Sequence, residues 1–145
     1  MNSTSLQPTS LDDLSEIKAT FAISKAGTPK AVVLACFEGA YRHGSAGNPD
    51  AAFIGAMCSA AITAWEPHTL IVDLSNLEYV WGNRLEEVFG LSPADQDDEF
   101  QLLVVCSARN KEAIRTLING ANTDRSLNDL GWAFESVEDA LRSLA

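Results

Sequence analysis

The run Leu70-Ile71-Val72-Asp73-Leu74 decides the fold of this chain. It is short and apolar apart from one acid near its carboxyl end, which is typical of a strand buried on both faces. Strands of this kind belong to parallel sheets, whose faces are covered by helices. We therefore expect helices on either side of this run along the chain.

A helix is predicted over residues 49–65, immediately before this strand. Asn48-Pro49-Asp50 is a helix start, because Asn caps free amides, Pro fits the first turn and Asp lies near the positive end of the dipole. The opposite face of the helix holds Gly, Ala and Ser rather than Lys and Glu, so we expect it to be covered by the fold or to join copies in a homo-oligomer. The apolar residues at helical spacing are Phe53, Ile54, Met57, Cys58, Ala61, Ile62 and Trp65.

A β-hairpin is predicted upstream of this helix. Residues 17–24 alternate apolar and polar side chains, which is the period of a strand with one wet face. Turn residues occupy positions 26–29, and the apolar run at 31–37 predicts a second strand buried on both faces. Residues 38–48 contain three Gly together with Ser and His, so a loop is expected there.

Shorter elements follow the strand at residues 70–74. A short helix after Gly82 should turn its apolar residues inward, and Ser136 approximates a capping box at the start of the last helix. The expected elements and inward residues are the helix with Leu85, Val88 and Phe89, an acidic loop at 95–99, a strand at 100–106, a helix capped by Asn110, a strand at 132–134, and a final helix that buries Val137, Leu141 and Leu144.

Strands and helices thus alternate along the chain, and parallel neighbours need a crossover between them. The pattern predicts one α/β domain with an N-terminal hairpin and a mostly parallel mixed sheet. We expect residues 1–15 to be a flexible tail and residues 16–145 to form the domain. The polar start has no basic end followed by an apolar run, so a signal peptide is not expected.

Charge and cysteine content restrict the partners and the compartment. The 145 residues include 20 acids and 10 Lys and Arg, for a formal charge of -10. This charge repels phosphate backbones and anionic lipid, so neither nucleic acid binding nor membrane insertion is expected. The three cysteines lie in apolar runs and cannot form a closed disulfide framework, which favours a cytoplasmic protein.

Two stretches resemble the STAS domain (sulfate transporter and anti-sigma factor antagonist). Residues 73–80, Asp-Leu-Ser-Asn-Leu-Glu-Tyr-Val, are similar to the D-L-S-G-V-x-F-I of that family. Residues 134–141, Phe-Glu-Ser-Val-Glu-Asp-Ala-Leu, resemble its closing strand and helix. The similarity in element order covers about residues 16 to 144, and it implies a STAS-like fold with a regulatory or protein-interaction role.

The sequence departs from the family at the position of the family's switch. Members of the anti-sigma antagonist type continue with D-S-S-G-L, in which a serine accepts phosphate from a partner kinase. The matching residues here are Trp81, Gly82, Asn83, Arg84 and Leu85. Because neither Gly82 nor Asn83 has a hydroxyl, the resemblance implies the fold without the phosphoserine switch.

The turn that enters the second helix is the predicted partner-binding surface, and it begins at Tyr79. Trp and Arg are over-represented at binding hot spots. We expect Trp81 to enter a pocket of a protein partner and Arg84 to pair with an acid on it. Gly82 and Asn83 should let the two backbones approach.

An enzyme is the alternative hypothesis. The glycine-bearing loop at 39–47 contains Arg42, His43, Gly44 and Ser45. Its backbone amides could hold an anion, as in a small crotonase-like or Clp-like enzyme or an acyl-ligand-binding protein. The loop lacks the Lys of a P-loop, and no nucleophile with a nearby base is evident. We therefore favour a non-catalytic module with no catalytic residue and no cofactor.

The remaining acids, histidines and cysteines favour structural roles. Asp73 is expected to cap amides in the turn after its strand rather than to act as an acid or base. The acidic run at 95–99 lacks the glycine that a calcium loop needs at its sixth position, and Cys and His show no zinc spacing. No metal site is predicted.

Overall fold

A single sheet forms the centre of the computed structural model, which describes residues 4–24, 31–93, 99–120 and 127–144. Within these residues, five strands lie side by side in the order in which they occur along the chain. The strands are β1 (Lys18–Ile23), β2 (Val32–Ala40), β3 (Thr69–Glu78), β4 (Gln101–Val105) and β5 (Ala133–Phe134). β1 pairs antiparallel with β2, and every later pair is parallel. The predicted α/β class, with a hairpin and a mostly parallel mixed sheet, is confirmed.

Helices connect the parallel strands. α1 (Asn48–Trp65) joins β2 to β3, α2 (Lys111–Asn119) lies between β4 and β5, and α3 (Val137–Arg142) follows β5. The short helix predicted between β3 and β4 is a 3₁₀ helix. The 3₁₀ helices are Leu11–Leu14, Gly44–Gly47, Asn83–Gly90 and Leu127–Leu130. No helix in the described part of the chain has the length and hydropathy that a membrane span needs.

The two faces of the sheet are covered to different extents. The main core lies under α1, the 3₁₀ helix Asn83–Gly90 and α2, and it contains Phe37, Phe53 and Leu74. A smaller core on the other face packs Ile71 and Val105 of the sheet against Ala140 of α3. Because successive parallel crossovers of one hand proceed in one direction, they place their helices on one face, which leaves the second face to α3.

This asymmetry corrects the prediction that β2 is buried on both faces. Its side chains alternate between buried and half-buried, and Val33 is fully buried whereas Leu34 is partly exposed. α3 has only six residues and packs over β3, β4 and β5, so it does not reach across to β2. β2 and β3 also continue to Ala40 and Glu78, into segments that were expected to be loop or connection.

The start of α1 differs from the sequence expectation, although its extent agrees. Gly47 is the N-cap, and Asn48 is the first helical residue with no capping role for its side chain. The reason is that the 3₁₀ helix Gly44–Gly47 runs directly into α1, and the amide of Asn48 donates to the carbonyl of Ser45. The helix ends at Glu66, which has a left-handed φ of 44°.

Other local predictions divide between confirmed and wrong. The hydroxyl of Ser136 accepts from the amide of Asp139 at 3.0 Å, so the predicted cap of α3 is confirmed. Leu141 was expected to be buried, but it is 47% exposed because Ala140 takes the position facing the sheet. The turn at 26–29 and most of the acidic loop at 95–99 lie outside the described residues.

The start of the chain contains local structure within the predicted tail. Ser10 and Asp13 form a capping box at the 3₁₀ helix Leu11–Leu14. Ser15, which follows it, is buried against the start of α1. The domain boundary at residue 15 stays a prediction, and these contacts place ordered chain on its N-terminal side.

Candidate functional site

The predicted partner-binding turn lies at the end of β3, where the chain leaves the sheet. Val80 and Trp81 are each 60% exposed, and Asn83 and Arg84 are exposed beside them. Tyr79 and Gly82 are buried, so they support this surface from below instead of forming it. We call the exposed part of the turn, residues 80, 81, 83 and 84, the Trp81 surface.

Close backbone packing at two glycines holds Trp81 outward. The amide of Gly44 donates to the carbonyl of Trp81 at 3.2 Å. A Cβ on Gly44 would lie 2.5 Å from the Trp81 indole, so the ring rests directly on that glycine. Gly82 has a φ of +146°, and a Cβ there would lie 2.8 Å from the ring of Tyr41. Larger side chains at either glycine would displace the ring or the turn.

Two tyrosines form the floor of this surface. The rings of Tyr41 and Tyr79 meet edge to face with their centroids 5.0 Å apart. The Tyr79 hydroxyl donates to the carbonyl of Gly82 at 2.8 Å, which closes the turn. Burial raises the pKa of both hydroxyls, and the charges of Asp50 near Tyr41 and of Tyr41 near Tyr79 add to the effect. Both phenols are therefore neutral at physiological pH.

A shallow groove of about 460 Å³ runs from the Trp81 surface to α2. Its apolar side is formed by Val80 and Trp81, and its far side by Ala113 and Leu117. Arg84 forms an exposed ion pair with Glu87 at 3.1 Å. An exposed pair of this kind contributes little to stability, so Arg84 can exchange its partner for an acid on another protein. The groove is also lined by Tyr79, Gly82, Asn83, Arg109, Glu112 and Thr116.

The candidate ligand loop is packed against other parts of the fold. The guanidinium of Arg42 bonds to Asp50 and to the carbonyl of Leu14. The amide of Gly44 is already used by Trp81, and His43 and Ser45 are exposed. An anion cradle needs free amides that point at the ligand. The arrangement therefore argues against anion binding by this loop.

The three free cysteines are poor nucleophiles in this fold. Burial raises the pKa of Cys58 to about 12, and burial with the charge of Glu135 does the same for Cys106. The Cys36 Sγ lies 3.7 Å from Asp73 Oδ2, and burial followed by this carboxylate raises its pKa. Since the thiolate is the reactive form, none of the three is activated at neutral pH.

Asp73 has the structural role that the sequence predicted. Its Oδ1 accepts from the amide of Ser75 at 3.0 Å and from the hydroxyl of Ser75 at 2.6 Å. These bonds cap the chain at the carboxyl end of the buried part of β3. No group of three potential metal ligands occurs among the described residues, and positions 95, 97 and 98 of the acidic run lie outside them.

Two buried polar anchors beside the site have bonds that the sequence did not predict. Asn110 is the N-cap residue of α2, as expected, but its side chain makes no capping bond, and its Nδ2 donates to the carbonyls of Leu74 and Leu77 at 2.7 and 2.8 Å. Asp50 lies in the first turn of α1, as expected, and it is also 1% exposed and bonded to Ser15 and Arg42. A sequence signal existed for Asp50, because residues 51–65 that follow it contain no charge at all.

Comparison with known proteins supports the fold alone. No protein-family model matches this sequence, and no curated protein sequence matches it. Among solved structures, a crystal structure of an anti-sigma factor antagonist from Mycobacterium paratuberculosis is similar to this chain with a TM-score of 0.51. The two are 17% identical, and the match covers 87% of this chain and 93% of the other. The chain therefore has a STAS-like fold.

Proposed function

We propose that this protein is a non-catalytic, regulatory module that binds a protein partner through the Trp81 surface. The observation that carries the proposal is the exposure of Trp81, which is 60% accessible although its ring and its carbonyl are both held by Gly44. Large aromatic side chains that are held outward lose little freedom on binding and dominate interface energetics. The neighbouring groove to α2 gives the same partner further contact area.

The module should operate without phosphorylation of the turn. The position that matches the family's first serine is Gly82, whose φ of +146° strains any L side chain. The next residue, Asn83, carries an amide that accepts no phosphate. We infer that binding is controlled by something other than a phosphoserine at this turn.

The charge of the chain restricts the class of partner further. A formal charge of -10 disfavours nucleic acid and acidic proteins as partners. Arg84 is a cation on the Trp81 surface itself, and its side chain is 56% exposed. We infer a protein partner that offers an apolar pocket for Trp81 with an acid beside it. We also propose the cytoplasm as the compartment, where free cysteines such as Cys36 persist.

The test compares two exposed tryptophans. The tagged full chain is used to capture proteins from a lysate of the cells in which it occurs naturally. The variants Trp81→Ala and Trp65→Ala are used as baits in parallel. Trp65 is 43% exposed at the end of α1, so its replacement removes a comparable aromatic from another surface. We expect a specific protein to be captured by wild type and by Trp65→Ala but not by Trp81→Ala.

The same assay addresses the missing switch. Capture should be equal with and without added ATP and Mg²⁺, because the turn has no serine to phosphorylate. Equal capture by Trp81→Ala and wild type would contradict the binding surface. Loss of capture only in the presence of ATP, together with phosphate found on residues 79–85, would contradict the absence of a phosphorylation switch at this turn.

A further inference from the structure

Asp50 joins three segments that are distant in the sequence. Its Oδ1 accepts from the hydroxyl of Ser15 at 2.5 Å and from Nη2 of Arg42 at 3.1 Å. Its Oδ2 accepts from the amide and from Nε of Arg42 at 2.9 and 3.0 Å. Hydrogen bonds to a charged, buried acceptor are the stronger ones in proteins. Asp50 therefore anchors both the N-terminal segment and the loop after β2 to the start of α1.

The N-terminal segment is attached through this anchor and through one apolar side chain. We call residues 11–15 the strap. Besides the bond from Ser15, the carbonyl of Leu14 accepts from Nη2 of Arg42 at 2.9 Å, and the Leu14 side chain packs, partly buried, against the main core. Residues 11–13 are exposed, and Leu11 is 48% accessible. Few apolar contacts and exposed hydrogen bonds are the features of segments that open at low cost in free energy.

The loop that the strap contacts is also the support of the Trp81 surface. Arg42 lies two residues before Gly44, on which the Trp81 indole rests. A Cβ on Gly47 would lie 2.2 Å from the carbonyl of Arg42, so the loop is closely folded on itself. The contacts thus form a continuous path from Arg42 to Gly44, and from there to the ring and the carbonyl of Trp81.

We propose that the strap regulates the Trp81 surface. When it is seated, Ser15 and the carbonyl of Leu14 hold Asp50 and Arg42 together, and Gly44 supports the indole. When it is displaced, Arg42 and Asp50 each lose a partner and the support of Trp81 loosens. This inference rests on the proposed function, because it makes Ser15 and Arg42 positioning residues for the same surface. By linkage, a partner that prefers the supported indole also favours the seated strap.

The coupling is measurable without any partner. The full chain is labelled with 5-fluorotryptophan, and its three tryptophan ¹⁹F resonances are assigned by single replacements with Phe. The test variants are Ser15→Ala and Arg42→Lys. Their matched controls are Ser143→Ala, which removes a serine hydrogen bond at α3, and Arg142→Lys, which replaces the guanidinium of an ion pair there by an ammonium.

We expect Ser15→Ala and Arg42→Lys to shift or split the Trp81 resonance. The resonances of Trp65 and Trp132 should stay in place, and neither control variant should move Trp81. If Arg42→Lys does not fold, Ser15→Ala decides the question. An unchanged Trp81 signal, or equal shifts of all three resonances, would overturn the proposal.

The two proposals fail separately. The proposal that the strap regulates the Trp81 surface is contradicted by an unchanged Trp81 ¹⁹F resonance, whatever protein is captured. The binding function fails when Trp81→Ala captures as well as wild type, whatever the strap does. If both hold, Ser15→Ala should weaken the Trp81-dependent capture, and Ser143→Ala should not.

Discussion

Gly82 shows how a single residue can determine the local backbone of a turn. Its φ of +146° is a conformation that L side chains rarely adopt, and a Cβ added to its Cα would lie 2.8 Å from the ring of Tyr41. A serine at this position would have a strained φ, and its Cβ would clash with the ring of Tyr41. The absence of a hydroxyl at this position is therefore consistent with the conformation of the turn.

This gives a prediction on stability. Gly82→Ala should lower the free energy of unfolding by about 2 kcal/mol, because a strained φ costs about 1–3 kcal/mol and the added Cβ must displace Tyr41. Gly90→Ala is the matched control, since Gly90 has open space around its Cα. Urea unfolding followed by circular dichroism measures both variants. Equal stabilities of the two variants would show that the turn adjusts without cost.

Asp50 gives a second prediction at the residue scale, on pH. Burial raises its pKa, but the hydrogen bonds from Arg42 and Ser15 outweigh it, so the pKa lies below its ordinary value. A depressed pKa contributes stability that is complete above the ordinary value of about 4 and is lost as the pH falls through the folded-state value. Asp50→Asn should therefore lower the free energy of unfolding by about 2 kcal/mol at neutral pH. The difference in this free energy between the variant and wild type should become smaller in more acidic solution.

Denaturant unfolding at neutral pH and at about pH 3 checks this expectation. Asp139→Asn is the control, because Asp139 pairs with Arg142 on an exposed surface of α3. A difference between wild type and Asp50→Asn that is independent of pH would rule out the ionised carboxylate as the source of the stability.

At the scale of elements, α1 has a face that no other described element covers. Phe53, Ile54 and Cys58 turn into the core, whereas residues 59, 60, 63 and 64 are exposed. That face holds only Ser, Ala and Thr. Small side chains of this kind agree with the predicted homo-oligomer contact through residues 49–65. We propose that two copies pack through it, because small side chains allow close approach of helices.

Light scattering coupled to gel filtration tests this proposal. Wild type should exceed the monomer mass of 15.6 kDa as its concentration rises, and Ala60→Glu should return it to that mass. Ala108→Glu makes the same change on an exposed turn before α2 and should have no effect. A monomeric wild type at every concentration would dismiss the α1 interface.

At the scale of the whole molecule, the sequence was sufficient for the α/β class, the hairpin and the mostly parallel sheet, whereas the order of the strands came from the structure. The buried strand at 70–74 and the helix before it required a parallel crossover, and the same logic held for each later pair. The exposure of the second sheet face was not predictable in the same way. The exposure of this face depends on the length of α3 and on where α3 packs. An apolar run such as residues 31–37 occurs both in strands covered on two faces and in strands covered on one, so the run alone does not distinguish them.

The candidate site was predictable only in part. Trp81 and Arg84 are exposed, as a binding surface requires, although exposure alone leaves their role a prediction. The roles of Gly44 and Asp50 depend on contacts between distant segments, which local patterns do not contain. A hydrogen bond between Ser15 and Asp50 spans 35 positions, so neither residue signals it alone.

The agreement between strand order and chain order has a consequence for biosynthesis. Among the described strands, none has to insert between two that are already placed. Each segment that leaves the ribosome can add to the outer edge of the strands that are already paired, from the hairpin to β5. Pairing between consecutive strands keeps loop closure shorter than pairing between more distant strands would. The chain can thus acquire its sheet during translation, in the order in which it is made.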